Sequence, residues 1–516
     1  MTKIKIFRVV FSLLFFISLG IYFLGFVFFP IDLGNALASA QLIPSISKAI
    51  SVALVPFLLI AGGLIALTLV FGRVYCSFLC PLGTAQDALY HISRKRKKYR
   101  HFGYLKPFAW PGYLLLAVTA AGFIFGVSAM TGLFDPFSIT GRIAGDLIRP
   151  ALIFVWNLIA DGFTSLGVYT FEHQGMPVIP LGAALVSGAF LIGTGFMSYA
   201  RGRLYCNTVC PVGGLLGLIS RVSIFKLRLD RETCVSCGNC SDVCKSGCID
   251  PKNRTLDFSR CVMCMNCLDT CAKGSIKYTL SAKPAQKNKP PLAAPLMERR
   301  AMLKELIGYG AAAAVSLVLP PKVFGETLHM SDKPVVPPGA GSVERYLSHC
   351  TSCHLCVTHC PTNVLTPSFL QFGIAGMLVP RMDYPHQFCE YNCKRCSEVC
   401  PTGAIKPITI EEKQTIQIGT VALEKTRCVV YAKGWACGAC AEICPTHAAY
   451  LVEVKDGLFG PETDNTICVG CGACEFACPV KPEKAIFVQP LDVHKTAKKP
   501  KVEDAAKPAD TEEFPF

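Results

Sequence analysis

Six groups of four cysteines stand in this sequence at the spacing of metal ligands. Cys234, Cys237, Cys240 and Cys244 follow C-x2-C-x2-C-x3-C, as do Cys261, Cys264, Cys267 and Cys271. The run recurs at Cys350, Cys353, Cys356 and Cys360 and at Cys468, Cys471, Cys474 and Cys478. Two variants have a longer first gap: Cys389, Cys393, Cys396 and Cys400, and Cys428, Cys437, Cys440 and Cys444. Three cysteines on one tight loop reach three irons of a cubane, and the fourth, opening a short helix, turns to a partner cluster. Zinc is usually held by two separated C-x2-C knuckles, so iron–sulfur is the expected chemistry. Six motifs imply six [4Fe-4S] clusters.

Crossing within residues 225–280 gives one site on Cys234, Cys237, Cys240 and Cys271 and another on Cys261, Cys264, Cys267 and Cys244. For the four later motifs two pairings stand open: neighbours, or first with fourth and second with third. Cys248 belongs to no group. The stretch "SHCTSCHLCVTHCPT" contains Cys350-Thr-Ser-Cys353-His354, the spelling of a c-type haem site. It runs on into Cys356 and Cys360-Pro, which a haem has no use for, so no haem is expected. His354 is then expected at the surface or beside the ligands.

A further pair, "YCSFLCPLG" and "YCNTVCPVGG", carries Cys76, Cys80, Cys206 and Cys210, preceded by Arg73 and Arg203. This repetition suggests a duplicated unit whose halves hold one shared iron–sulfur centre, a seventh, at the membrane edge. A redox-active dithiol, or simple packing, is the alternative.

The elements that must position these groups are apolar. Half the chain is hydrophobic, yet it has 29 cysteines, 51 Lys+Arg and a net charge of +15. Stretches 9–29, 49–72, 107–134 and 174–200 are long enough to cross a bilayer as helices. Residues 150–171, broken by Asp161, are expected to form an interfacial or half-buried helix. Basic residues precede the first span and follow the second and fourth, which puts the N-terminus and residues 225–280 in the cytoplasm of a bacterial inner membrane. The charge is thereby explained by topology, and no nucleic-acid partner is expected. The fold class is a multi-domain membrane protein: an all-α four-span domain (1–224) with α+β bacterial-ferredoxin-like dicluster units at 225–280 and 343–490. A Lys/Pro/Ala linker (281–296), an anchor-like segment (297–322) and a disordered tail (491–516) complete it. Gln86, Asp87 and His91, just past Cys80, could accept protons but read as ordinary loop residues.

Residues 1–280, with four spans, two C-x3-C-P motifs, "LFDPFS" and a two-cluster unit, resemble the NapH/MauN membrane polyferredoxins. Residues 297–490, with "ERRAMLK" around Arg299-Arg300 and four cluster motifs, resemble the NapG/MauM polyferredoxins, which carry a twin-arginine export signal. The two, usually separate subunits, look fused here. The resemblance implies an electron-transfer subunit of a quinol dehydrogenase-type system. It would draw on membrane lipid's quinone pool and deliver electrons to a periplasmic reductase or cytochrome c, with residues 343–490 periplasmic. Cys244 and Cys271 depart from the pattern in lacking a following proline. Two other functions are weighed: an assembly or redox-repair factor for a metalloenzyme, and a cytoplasmic-facing, ferredoxin-linked redox hub.

Overall fold

The computed structural model describes residues 3–94, 103–280 and 334–499, apart from positions 27, 53, 107, 109 and 456. The linker, the twin arginine with its apolar run, and residues 500–516 lie outside the described residues.

The first 220 residues are helical. The elements are α1 (Lys3–Leu24), α2 (Ile31–Ser39), α3 (Leu42–Ser51), α4 (Leu54–Phe71), α5 (Tyr75–Phe78), α6 (Pro81–Arg94), α7 (Trp110–Ile124) and α8 (Ser128–Phe134). They continue with α9 (Pro136–Arg142), a π-helical turn (Ile143–Ile148), α10 (Arg149–Ser165), α11 (Leu181–Arg201), α12 (Leu204–Thr208) and α13 (Pro211–Ser220). Helix α1 is apolar on all sides, and burial selects one stripe: Arg8, Ser12, Phe15, Leu19, Tyr22 and Phe23. Spacings of three and four put these on one face, while Phe11, Leu13, Leu14 and Ile17 point outward, as lipid-facing residues would. The buried stripe of α11 is small or hydroxylated (Ala183, Ser187, Thr194, Ser198), which allows close helix contact where hydrophobic driving force is absent.

Among the described residues three helices are long and apolar enough to cross a membrane: Lys3–Leu24, Pro136–Ser165 and Leu181–Arg201. Two of the four expected spans are among them, and the other two stretches hold shorter apolar helices, Val55–Phe71 and Trp110–Ile124. The stretch 49–72 divides into α3 and α4, and 107–134 into the 15-residue α7 and the short α8. The stretch expected to be interfacial is instead half of a continuous 30-residue helix. Its charges are satisfied inside the protein: Arg142 donates to the carbonyls of Gly132 and Leu133, and Ser187 donates to Asp146.

The first ferredoxin unit has β1 (Phe225–Leu229) antiparallel to β4 (Ile276–Leu280), enclosing β2 (Ile249–Asp250) paired with β3 (Thr255–Leu256). The second has β5 (Leu365–Pro367) with β6 (Pro380–Met382), then β7 (Ile416–Leu423), β8 (Ala449–Lys455), β9 (Leu458–Thr463) and β10 (Ile486–Thr496). Here β10 pairs with β7 and β8 with β9. The unit reaches beyond its expected limits. Val335 and Val336 are buried, and residues 491–496, expected in the disordered tail, continue β10 past a bulge to pair Lys495 with Gln417 and Thr496 with Ile416. A polar edge strand carries no apolar signal, and backbone pairing alone orders it.

The two units meet opposite ends of α1. Near its start Lys5 pairs with Asp269 at 3.4 Å. Near its end the Tyr22 and His359 rings lie 4.9 Å apart. A 22-residue helix separates its ends by about 33 Å.

Candidate metal centres

The described cysteines gather into quartets built the same way. In each motif two cysteines lie on a loop and the third in a short helix; the fourth follows that helix, not opening it as expected, and joins the partner motif's triad. Cys350, Cys353, Cys356 and Cys400 line one cavity, Cys444, Cys468, Cys471 and Cys474 a second, and Cys428, Cys437, Cys440 and Cys478 a third. Cys360, Cys389 and Cys393 act electrostatically on Cys396. In the first unit, Cys244, Cys261, Cys264 and Cys267 line a cavity together, while Cys234, Cys237 and Cys271 act on Cys240. The chain thus brings neighbouring motifs together in the second unit, first with second and third with fourth; the nested arrangement left open by the spacing does not occur. Burial pushes the Cys350 thiol up to about 12 and the Cys440 thiol up to about 11, so ligation there would release a proton.

The seventh quartet is assembled from two halves that exchange hydrogen bonds. Cys76, Cys80, Cys206 and Cys210 are all buried. Arg73 donates to the carbonyl of Cys206 at 3.0 Å, and Arg203 to that of Cys76 at 2.7 Å. Each arginine also faces the sulfur three residues on in its own half, at 3.8 and 4.0 Å. Cys80 and Cys210 stand immediately before prolines that open α6 and α13, as first-turn prolines favour. The Gly83 and Gly213 amides donate to their sulfurs at 3.4 and 3.3 Å. Neither glycine has room for a side chain: a Cβ on Gly83 would lie 2.3 Å from the Arg203 guanidinium, and one on Gly213 2.1 Å from the Cys206 carbonyl.

The charges fit an anionic group. Arg8, Arg73, Arg203 and Lys245 are each no more than 2% exposed. Asp87 accepts from Arg203 at 2.8 Å, Lys245 at 2.7 Å and Arg8 at 3.3 Å. Arg73 bonds only to Asn207, carbonyls and sulfur among the described residues. One carboxylate cannot balance four buried cations, and uncompensated buried charge is costly. Thiolate ligands of two iron–sulfur centres, this one and its neighbour on Cys264, would supply the missing negative charge. Gln86 points the same way: its Oε1 faces the Cys206 sulfur at 3.4 Å and its Nε2 has no partner. With a thiolate at Cys206, the reversed amide would donate to sulfur.

Several expectations change here. Gln86, Asp87 and His91 lie on α6, not a loop; Gln86 is buried against Cys206, and Asp87 is occupied by three cations. His354 is not at the surface. It is 1% exposed, with Nδ1 2.7 Å from Asp146 and Nε2 2.9 Å from the carbonyl of Leu378. The cation cluster went unread because its members are scattered from residue 8 to residue 245. Only the arginine preceding each C-x3-C-P motif hinted at it.

Crossed cysteine quartets on paired short motifs define an iron–sulfur protein of the ferredoxin type. A 4Fe-4S binding domain model matches residues 53–100 and 182–231, the segments that hold the seventh quartet. Models of 4Fe-4S dicluster domains match 257–364 and 433–482. The chain is 30% identical over 227 residues to the methylamine utilization ferredoxin-type protein MauM of Methylobacillus flagellatus, covering 42% of this chain and 93% of that protein. It is 31% identical over 216 residues to the ferredoxin-type protein NapG of Escherichia coli strain K12 (39% and 90%), and 29% over 159 residues to NapF of the same strain (31% and 86%). The chain belongs to the family of ferredoxin-type 4Fe-4S proteins that includes MauM and NapG. No solved structure matches it.

Proposed function

We propose that this chain is a NapH/MauN-type membrane domain fused to a NapG/MauM-type polyferredoxin. On this reading it takes electrons from membrane quinol and passes them through seven iron–sulfur centres to a periplasmic reductase or cytochrome c. The reading rests on one observation: two ferredoxin units meet opposite ends of α1, and the seventh quartet lies between them. Each [4Fe-4S] cluster supplies a one-electron carrier tuned by charge, hydrogen bonds to sulfur and exposure.

The residues form an unbranched succession. Cys240 acts on Cys267, joining the two inner sites. Cys264 shares a core with Cys76, Cys80 and Cys210. Beyond that quartet, the Tyr75 and Tyr205 hydroxyls donate to Gln41 and to the carbonyl of Phe134, at the base on which the second unit sits. Gly132 and Gly141 pack directly on the Thr351 and Cys353 backbones. Within that unit the Cys389 amide donates to the Cys471 carbonyl at 2.9 Å, and Cys440 acts on Cys474.

The test uses purified full-length protein in lipid nanodiscs. Added quinol should bleach the iron–sulfur absorbance, and oxidised cytochrome c should restore it. Clusters that dithionite reduces but quinol does not would overturn quinol oxidation. Protease cleavage of the second unit in intact spheroplasts is the expected sidedness result; protection until permeabilisation would place both units inside.

A further inference from the structure

Cys248 stands outside every quartet, four residues after Cys244. The same offset from a fourth ligand leads to Val364 after Cys360, Ala404 after Cys400 and Ala448 after Cys444. All of these are buried, and Ala404 and Ala448 line the cavities of their own quartets, as Cys248 lines that of Cys244, Cys261, Cys264 and Cys267. The backbone returns over the ligand sulfur in each case. The Ile405 amide donates to Cys400 at 3.4 Å, the Ala449 amide to Cys444 at 3.5 Å and the Cys248 amide to Cys444's counterpart Cys244 at 3.5 Å. Three quartets thus carry a hydrocarbon side chain at this position, whereas the buried Ser275 holds it after Cys271, and the quartets are completed without it. Here it carries a thiol, 2% exposed, whose sulfur is 3.5 Å from that of Cys244.

We infer that Cys248 is not a ligand but a hydrogen-bond donor to the Cys244 sulfur, raising the reduction potential of this cluster. The inference rests on the reading of the quartet as a cluster site. A ligand sulfur gains negative charge when its cluster is reduced, so a donor aimed at it favours the reduced form. Burial removes competing water and strengthens the effect. The tuned site is the one packed against the seventh quartet, so the donor would help hold an electron beside the membrane domain.

Full-length Cys248→Ala and Cys248→Ser proteins test this by iron and sulfide content and by potentiometric titration followed by electron paramagnetic resonance. Alanine is what two other quartets carry, so the fold should tolerate it. Cys248→Ala should keep the wild-type iron content and move the midpoint of one signal downward. Cys248→Ser, which still donates, should recover part of the shift. Loss of one cluster's iron in Cys248→Ala would make Cys248 a ligand and overturn the inference, as would unchanged titration curves. A wild-type 225–280 unit that binds no iron would instead overturn the cluster reading itself.

Discussion

His354 and Asp146 meet at 2.7 Å with both side chains wholly buried, one from the second ferredoxin unit and the other from the π-helical turn of the membrane domain. Ser187 donates to the second carboxylate oxygen at 2.6 Å. Around the pair, Ser128 donates to the carbonyl of Ser348, Asn35 to that of Glu398 and Arg142 to that of Ser352. Leaving a buried hydrogen-bonding group without its partner costs about 1–3 kcal/mol. Asp146→Ala should therefore loosen the docked unit. With a protease site inserted in the linker and cut, the wild-type unit should stay with the membrane fraction and the variant's should be released.

A steric variant probes the same seam without touching charge. A Cβ at Gly141 would lie 2.3 Å from the Cys353 carbonyl and 2.6 Å from the Phe23 ring. Overpacking of this kind costs about 1–3 kcal/mol. Gly141→Ala should expose amides of residues 350–360 to faster hydrogen exchange while leaving the 225–280 unit unchanged.

At the other end, Asp87 ties α1, α12 and the first ferredoxin unit through Arg8, Arg203 and Lys245. Burial would raise its carboxyl, but Arg203 and Lys245 outweigh burial and hold it well below the usual carboxylate range. A depressed folded value stabilises above the unfolded carboxyl's pKa of about 3.9 and is lost as pH falls through the folded value. At neutral pH the whole contribution is present. Asp87→Asn should lower the thermal midpoint of cluster loss there, by on the order of 3–5 kcal/mol in stability.

The seventh quartet makes a prediction about iron. Cys76→Ser or Cys206→Ser should each remove the same single centre, because one comes from each half of the duplication. The six ferredoxin-type signals should remain. Two lost signals, or none, would contradict a shared site.

Arg73→Lys tests the crossed hydrogen bonds. Arg73 serves Asn207, the Ser259 carbonyl and the Cys206 carbonyl at once. An ammonium keeps the charge but not the planar fork that reaches three acceptors. The variant should keep the centre's iron but lower its thermal stability, and Arg73→Gln, which also removes the charge, should lower its midpoint potential.

How much of this was legible beforehand depended on how local the signal was. A cubane triad occupies seven residues, so Cys350, Cys353 and Cys356 announce themselves. Which motif supplies the fourth ligand depends on the path between motifs, and nothing near Cys400 or Cys478 records it. The lengths of individual helices were less legible for a related reason. Hydropathy sums apolar residues but not the breaks that divide 49–72 and 107–134. Conversely, Arg142, Asp146 and Arg149 disguised a long helix, because their partners (His354 and Asn363 among them) lie some two hundred residues away.

The exchange of fourth cysteines bears on how the molecule is made. Cys350, Cys353 and Cys356 wait for Cys400, while Cys360 waits for Cys389, Cys393 and Cys396. As the second unit leaves the ribosome, no single motif can be loaded when it appears; iron insertion has to wait for the partner motif. Within that unit, a nascent chain halted between Cys360 and Cys389 holds four thiols and no complete site, whereas one halted after Cys400 holds two. Translation thus delivers this protein in paired instalments, and a truncated product announces itself by its unfilled thiols.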